Sequence, residues 1–231
     1  MITDKELGTI SFRQSARAKR INVRILSDSL VVTLPVGSRE KDAMKFIDEV
    51  REKLIKRQST INKKTVIISE EKVLKTCTFD VQIRKAERNN IFASLKSGIL
   101  TIEYPHSLNA GETQTQNYFW NSVNYFLRKE AKRLLPHRTA ELASQFGFSF
   151  ADVKIQSSKS RWGSCNTKKN INLSFYLMLL PQHLIDYVIL HELCHTRVMN
   201  HSSDFWRQMD SVTAGKGKAL RSEIREYSIP K

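Results

Sequence analysis

Residues 181–201 read Pro181-Gln182-His183-Leu184-Ile185-Asp186-Tyr187-Val188-Ile189-Leu190-His191-Glu192-Leu193-Cys194-His195-Thr196-Arg197-Val198-Met199-Asn200-His201. Pro181 opens a helix running to about Val198, and its apolar residues recur almost all round, the mark of a helix buried on every side. His191 and His195 stand four residues apart, one turn along the same face, so both imidazoles can reach one ion. Glu192, beside the first of them, can face an open coordination position and take a proton from a bound water. Ionisable groups on so apolar a helix need a reason to be there.

Three of the six histidines fall between 191 and 201. Asn200 is a helix terminator, and a chain that turns there can return His201 as a third ligand. Asp210, Glu223 and Glu226 are the alternatives. Ser202-Ser203-Asp204 would cap the next helix, which carries Phe205 and Trp206. Three protein ligands and one open position belong to catalytic rather than structural zinc, and histidine-rich donors favour Zn2+, one per chain. Cys194 points roughly 100° from either flanking histidine and reads as a core residue.

Outward from this helix, the chain changes character near its middle. Ile21, Val23 and Ile25 alternate with polar residues, Ser27-Asp28-Ser29 marks a turn, and Leu30–Leu34 follows, which predicts a hairpin. Met44, Ile47, Val50 and Leu54 predict one helix over Arg39–Arg57. Strands are expected at Thr65–Ile68, Cys77–Arg84, Ile91–Leu95 and Ile99–Tyr104, the last two joined through Lys96-Ser97-Gly98. A long helix fits Glu112 to Leu135, restarts at Pro136 and stops at Gly147. Asp152–Gln156 and Ile171–Tyr176 read as an antiparallel pair. No internal repeat is evident. The expected class is α+β: a β-rich subdomain with a helix over residues 1–108, then a helical core with a small sheet over 109–231.

Composition is that of a core-forming soluble protein: of 231 residues, 40% are hydrophobic and 26% charged, with 8 Gly and 5 Pro. Phe175–Leu180 is the longest purely apolar run, far short of the roughly 20 residues that span a bilayer. The first residues lack a basic-then-apolar leader pattern. Three cysteines without paired spacing fit reduced thiols, so a cytoplasmic protein with no membrane partner is expected. The net charge of +15 divides evenly, +8 over residues 1–111 and +7 over 112–231, with no basic tail. It permits nucleic acid as a partner.

Several stretches together carry a resemblance. Lys159-Ser160-Arg161-Trp162-Gly163-Ser164-Cys165, Ile171-Asn172-Leu173, Leu180-Pro181, Ile185-Asp186-Tyr187-Val188, His191-Glu192-Leu193-Cys194-His195, Asn200-His201-Ser202 and Phe205-Trp206 closely resemble the YgjP-like predicted metal-dependent hydrolases, relatives of SprT-like and other minimal zincin peptidases. The likeness is strong over about 155–206 and weaker through Arg17–Leu34 and the helix before Gly147. It implies a zincin-like core, a zinc site of His191, His195 and His201 with no other cofactor, Glu192 as catalytic base, and a peptide or protein substrate. Val198 stands where metzincins place a glycine, so that family is not implied.

Arg161 has two readings: it holds a carboxylate, on the helix of Asp186, while Trp162 packs in the core, or it meets the substrate carbonyl at the cleft. Tyr187, one turn before His191, either packs or does the same. An extended substrate would pair with Asp152–Gln156 or Ile171–Tyr176. Two rival functions stand beside the peptidase: a nucleic-acid-associated SprT-like protease, supported by Arg13, Arg17, Lys19, Arg20 and Arg24, and a non-catalytic module stapled by metal. The intact Glu192 argues against the last, since a purely structural site has no use for a base.

Overall fold

The computed structural model describes residues 1–26, 29–64 and 66–229, without the side chains of residues 60–64. The expected turn residues Ser27 and Asp28, and Thr65, lie outside these. The chain divides into two compact units, Met1–Val66 and Ile67–Ile229. The division expected at 108/109 is thereby moved to 66/67. The reason is packing: strand residues Val81, Ile83, Leu100 and Ile102 share one core with helix residues Phe119, Val123 and Leu127.

In the first unit, strands β1 (Ile2–Asp4), β2 (Gly8–Ser15), β3 (Asn22–Ile25) and β4 (Ser29–Pro35) form a sheet of order β1-β2-β4-β3. Alternate residues Leu30, Val32 and Leu34 face inward onto Ala43 and Ile47 of helix α1 (Glu40–Glu49). The single helix expected over Arg39–Arg57 is two, α1 and α2 (Arg51–Lys64). They part at Val50, whose φ of −110° and ψ of 11° leave the helical range.

Asp4 ties the start of this unit to α2. Its carboxylate accepts from Arg51 at 2.9 and 3.1 Å and from the N–H groups of Glu6 and Leu7. The Arg51 hydrogen bonds, then the two N–H groups, hold its carboxyl far below the usual 3.8. A depressed carboxyl pKa stabilises the fold above the unfolded value and loses that contribution as pH falls. Asp4→Asn is therefore expected to lower Tm at pH 7, with the gap to wild type closing as the pH is taken below 3.8. Thermal unfolding across pH measures it.

In the second unit, β5 (Leu74–Lys75), β6 (Asp80–Ala86), β7 (Phe92–Lys96) and β8 (Ile99–Pro105) order as β5-β6-β8-β7. The hairpin through Ser97 and Gly98 is as expected, with φ of +48° and +76°, the left-handed pair a tight hairpin turn demands. Residues 66–69 are not a strand. Instead the N–H and C=O of Ile68 bond the side-chain amide of Gln116.

The two four-stranded sheets have the same connectivity. Each runs antiparallel, then a parallel pair made by inserting the fourth strand beside the second, then an antiparallel edge, then a helix. The parallel pairs end alike, at Ser15 opposite Pro35 and Ala86 opposite Pro105. The chain does contain an internal structural repeat.

After the second sheet, helix α3 (Thr113–Phe146) runs unbroken through Pro136 and ends on Gly147, whose φ of +65° closes it as expected. Strands β9 (Asp152–Gln156), β10 (Gly163–Cys165) and β11 (Asn170–Ser174) then order as β10-β11-β9. β11 pairs parallel with β9, not antiparallel, because β10 takes the antiparallel place on its other side. A 3-10 helix (Phe175–Leu179) leads to the buried helix α4 (Gln182–His195), followed by α5 (Ser203–Val212) and α6 (Gly217–Ile224). The class is α+β. Among the described residues no helix is long and apolar enough to cross a membrane.

Candidate metal centre

Helix α4 is apolar on all sides because it lies inside the second unit, with Leu184, Ile189, Leu193 and Cys194 fully buried. Arg138 on α3 fixes its rotation and height by gripping Asp186 with two 2.8 Å hydrogen bonds. Asp186 therefore belongs to Arg138, and Arg161 does not hold it. The four-residue spacing then brings His191 and His195 onto one face, their Nε2 atoms 3.2 Å apart. α4 stops after His195, and the turn through Asn200 returns His201 to within 3.0 Å of His191, Nε2 to Nε2.

The three ring nitrogens fit a tetrahedral cation. Zn–N bonds of 2.0–2.1 Å place two such ligands about 3.3 Å apart, close to the two separations from His191, and all three ligand atoms lie within 4.8 Å of one another. His195 Nδ1–H donates to the Val198 carbonyl at 3.0 Å. That bond puts the proton on Nδ1 and leaves Nε2 a bare donor atom aimed at the other two rings. Burial first, then the neighbouring His195, His201 and Arg221 charges, push His191 down to about 3, so it stays neutral and able to ligate. These three residues are the group among the described residues that could hold a metal ion.

The alternative third ligands are elsewhere. Glu223 bonds His183 at 2.7 Å, and neither Asp210 nor Glu226 joins the cluster. Cys194 is a core residue, its thiol pushed up to about 12 by burial.

Glu192 is 5% exposed, and its Oε2 is buried without a hydrogen-bond partner. Burial pushes its carboxyl up to about 8, against the lowering pull of the Arg161 charge. A carboxylate this dehydrated is a strong proton acceptor. With His191 it lines a cavity of about 350 Å³ that also takes in Arg161, Trp162, Tyr187, Arg221 and Arg225. Arg161 and Tyr187 thus both stand at the cleft. Trp162 lines the same cavity while packing on the core.

Two residues here stand in the quoted motifs without an expected role at the site. Phe205 is fully buried against all three histidines, its ring centroid 4.8, 4.6 and 4.8 Å from those of His191, His195 and His201. Gly163, on β10, lies directly against Glu192. A Cβ there would sit 2.7 Å from Oε1 and 2.8 Å from Cγ. Gly163→Ala is expected to push the carboxylate aside, cutting peptide hydrolysis on the order of 10²-fold while metal content stays near wild type. Parallel activity and metal assays measure this.

The model of the YgjP-like metallopeptidase domain matches residues 19–225. The chain belongs to the YgjP-like family. It is a metallopeptidase domain, and the resemblance seen in its motifs holds across both units. Two solved structures are similar over part of it. The metallopeptidase zymogen abylysin of Pyrococcus abyssi is 23% identical, over 40% of this chain and 93% of that one, with a TM-score of 0.37. The zymogen jannalysin of Methanocaldococcus jannaschii is 20% identical, over 40% and 94%, with a TM-score of 0.36. No curated protein matches the chain.

Proposed function

We propose that this YgjP-like chain is a zinc peptidase in which His191, His195 and His201 hold one Zn2+ and Glu192 is the general base. The observation that carries this reading is the convergence of three imidazole nitrogens beside a buried, unpartnered carboxylate.

Zinc, when bound, supplies Lewis acidity: it polarises the scissile carbonyl and lowers a water's pKa to about 7. The protein's own groups do the rest. Glu192 accepts the proton of the attacking water and hands it to the leaving amide nitrogen. Arg161 and Tyr187 face the same cavity and can meet the carbonyl oxygen as charge develops on it. The substrate lies extended along β10. Ile171–Tyr176 cannot serve as the pairing edge, because β11 is flanked on both sides; β9 (Asp152–Gln156) and β10 are both edge strands, and β10 is favoured because its Gly163 touches Glu192.

The test is metal analysis of purified protein together with incubation against a proteome-derived peptide library, new termini being identified by mass spectrometry. About one zinc per chain and zinc-dependent new termini are expected. Zinc-loaded protein that generates none across such a library would count against peptidase activity.

A further inference from the structure

We infer that Arg161, Arg221 and Arg225 form a carboxylate-binding subsite beside the three histidines, so that the preferred peptides carry an acidic side chain or their own free C-terminus next to the bond that is cut. This rests on the peptidase reading above and names the substrate class for it.

The three arginines come from two segments, Arg161 just before β10 and Arg221 and Arg225 one turn apart on α6 and its end, and line one cavity of about 350 Å³ with His191 and Glu192. Seven arginines, Arg39, Arg51, Arg84, Arg88, Arg133, Arg138 and Arg207, have a carboxylate partner. Among the described residues, no carboxylate forms an ion pair with Arg161, Arg221 or Arg225. The nearby acid on α6, Glu223, is turned to His183 instead. Glu192 is the single carboxylate in the cavity lining, and the reaction employs it for proton transfer.

The remaining lining is apolar or aromatic, Trp162, Val188, Ile224 and Tyr187. Low-dielectric walls around like charges concentrate their field in the cavity. Arg221 is held over the Trp206 ring at 5.1 Å, and that ring lies 6.4 Å from His201. This fixes one cation next to the metal ligands. A divalent cation on three neutral histidines would add to the excess positive charge. Guanidinium groups offer the planar fork that matches a carboxylate, so a carboxylate brought by the substrate is the complementary group.

The test uses Glu192→Gln protein loaded with zinc, so that binding is read without turnover. Four fluorescein-labelled octapeptides of one apolar sequence are compared by anisotropy: Glu or Gln at the central position, each with a free or amidated C-terminus. Charge-assisted pairing should favour at least one acidic peptide over the uncharged Gln-amide by about tenfold or more. That preference should collapse in Arg161→Gln/Arg221→Gln and survive in part in Arg221→Lys, which guards against a variant that merely misfolds. Preference for the central Glu names a side-chain carboxylate; preference for the free terminus names a C-terminal one. Equal binding of all four peptides overturns the subsite, even where wild-type protein cuts the library. Acid-selective binding without any cleavage keeps the subsite and counts instead against the peptidase reading.

Discussion

Glu192→Gln is expected to fold, keep its metal and bind peptide, while hydrolysis falls by on the order of 10²-fold or more. The amide nearly matches the carboxylate in size and still hydrogen-bonds, but it cannot accept the water's proton. The site isolates this effect well. Glu192 is not one of the three converging nitrogen donors, so its replacement leaves the ligand set intact. Its Oε2 has no protein partner, so no internal hydrogen bond is lost. Cleavage rate, metal content and thermal unfolding on one preparation separate the cases. Activity surviving in the Gln protein would reject Glu192 as base, and joint loss of metal and fold would make it structural.

His191→Ala is expected to abolish stoichiometric metal binding and with it hydrolysis. His191 is the centre of the triad, its Nε2 being 3.2 Å from that of His195 and 3.0 Å from that of His201. Without it two donors remain, and catalytic zinc sites take three. His201→Ala should also weaken binding strongly, whereas Asp210→Asn and Glu223→Gln should leave it near wild type. Competition against a chromophoric chelator reads all four affinities. Zinc retained by His191→Ala at wild-type affinity would remove the histidine triad from consideration.

The site was more legible in the sequence than the architecture around it. Spacing alone puts His191 and His195 on one face, because an α-helix repeats every 3.6 residues whatever surrounds it. His201 needed the turn at Asn200, which the residue types announce but do not locate. Gly163 and Phe205 were illegible as site residues, since their roles come from β10 and α5 packing against α4, contacts between segments far apart in sequence. At Val50 the chain leaves the helical range inside the span expected as one helix, and α3 passes unbroken through Pro136. Pro136 merely leaves one carbonyl without its helical donor. The repeated sheet escaped notice because its two copies share alternation and strand order, which many residue choices satisfy, and little residue identity.

Arg161 shows how a motif can be found and its partner misjudged. Its place in Arg161-Trp162-Gly163 pointed to α4, but the acid there is already gripped by Arg138 in a two-pronged pair. A sequence does not say which of two arginines reaches a given aspartate first.

Zinc K-edge absorption spectroscopy on zinc-loaded wild-type protein, beside His201→Ala, tests the triad most directly. The expected wild-type result is a four-coordinate ion with three imidazole ligands and one oxygen, at about 2.0–2.1 Å, and one imidazole fewer in His201→Ala. A sulfur shell at about 2.3 Å, or an identical spectrum from the two proteins, would contradict it.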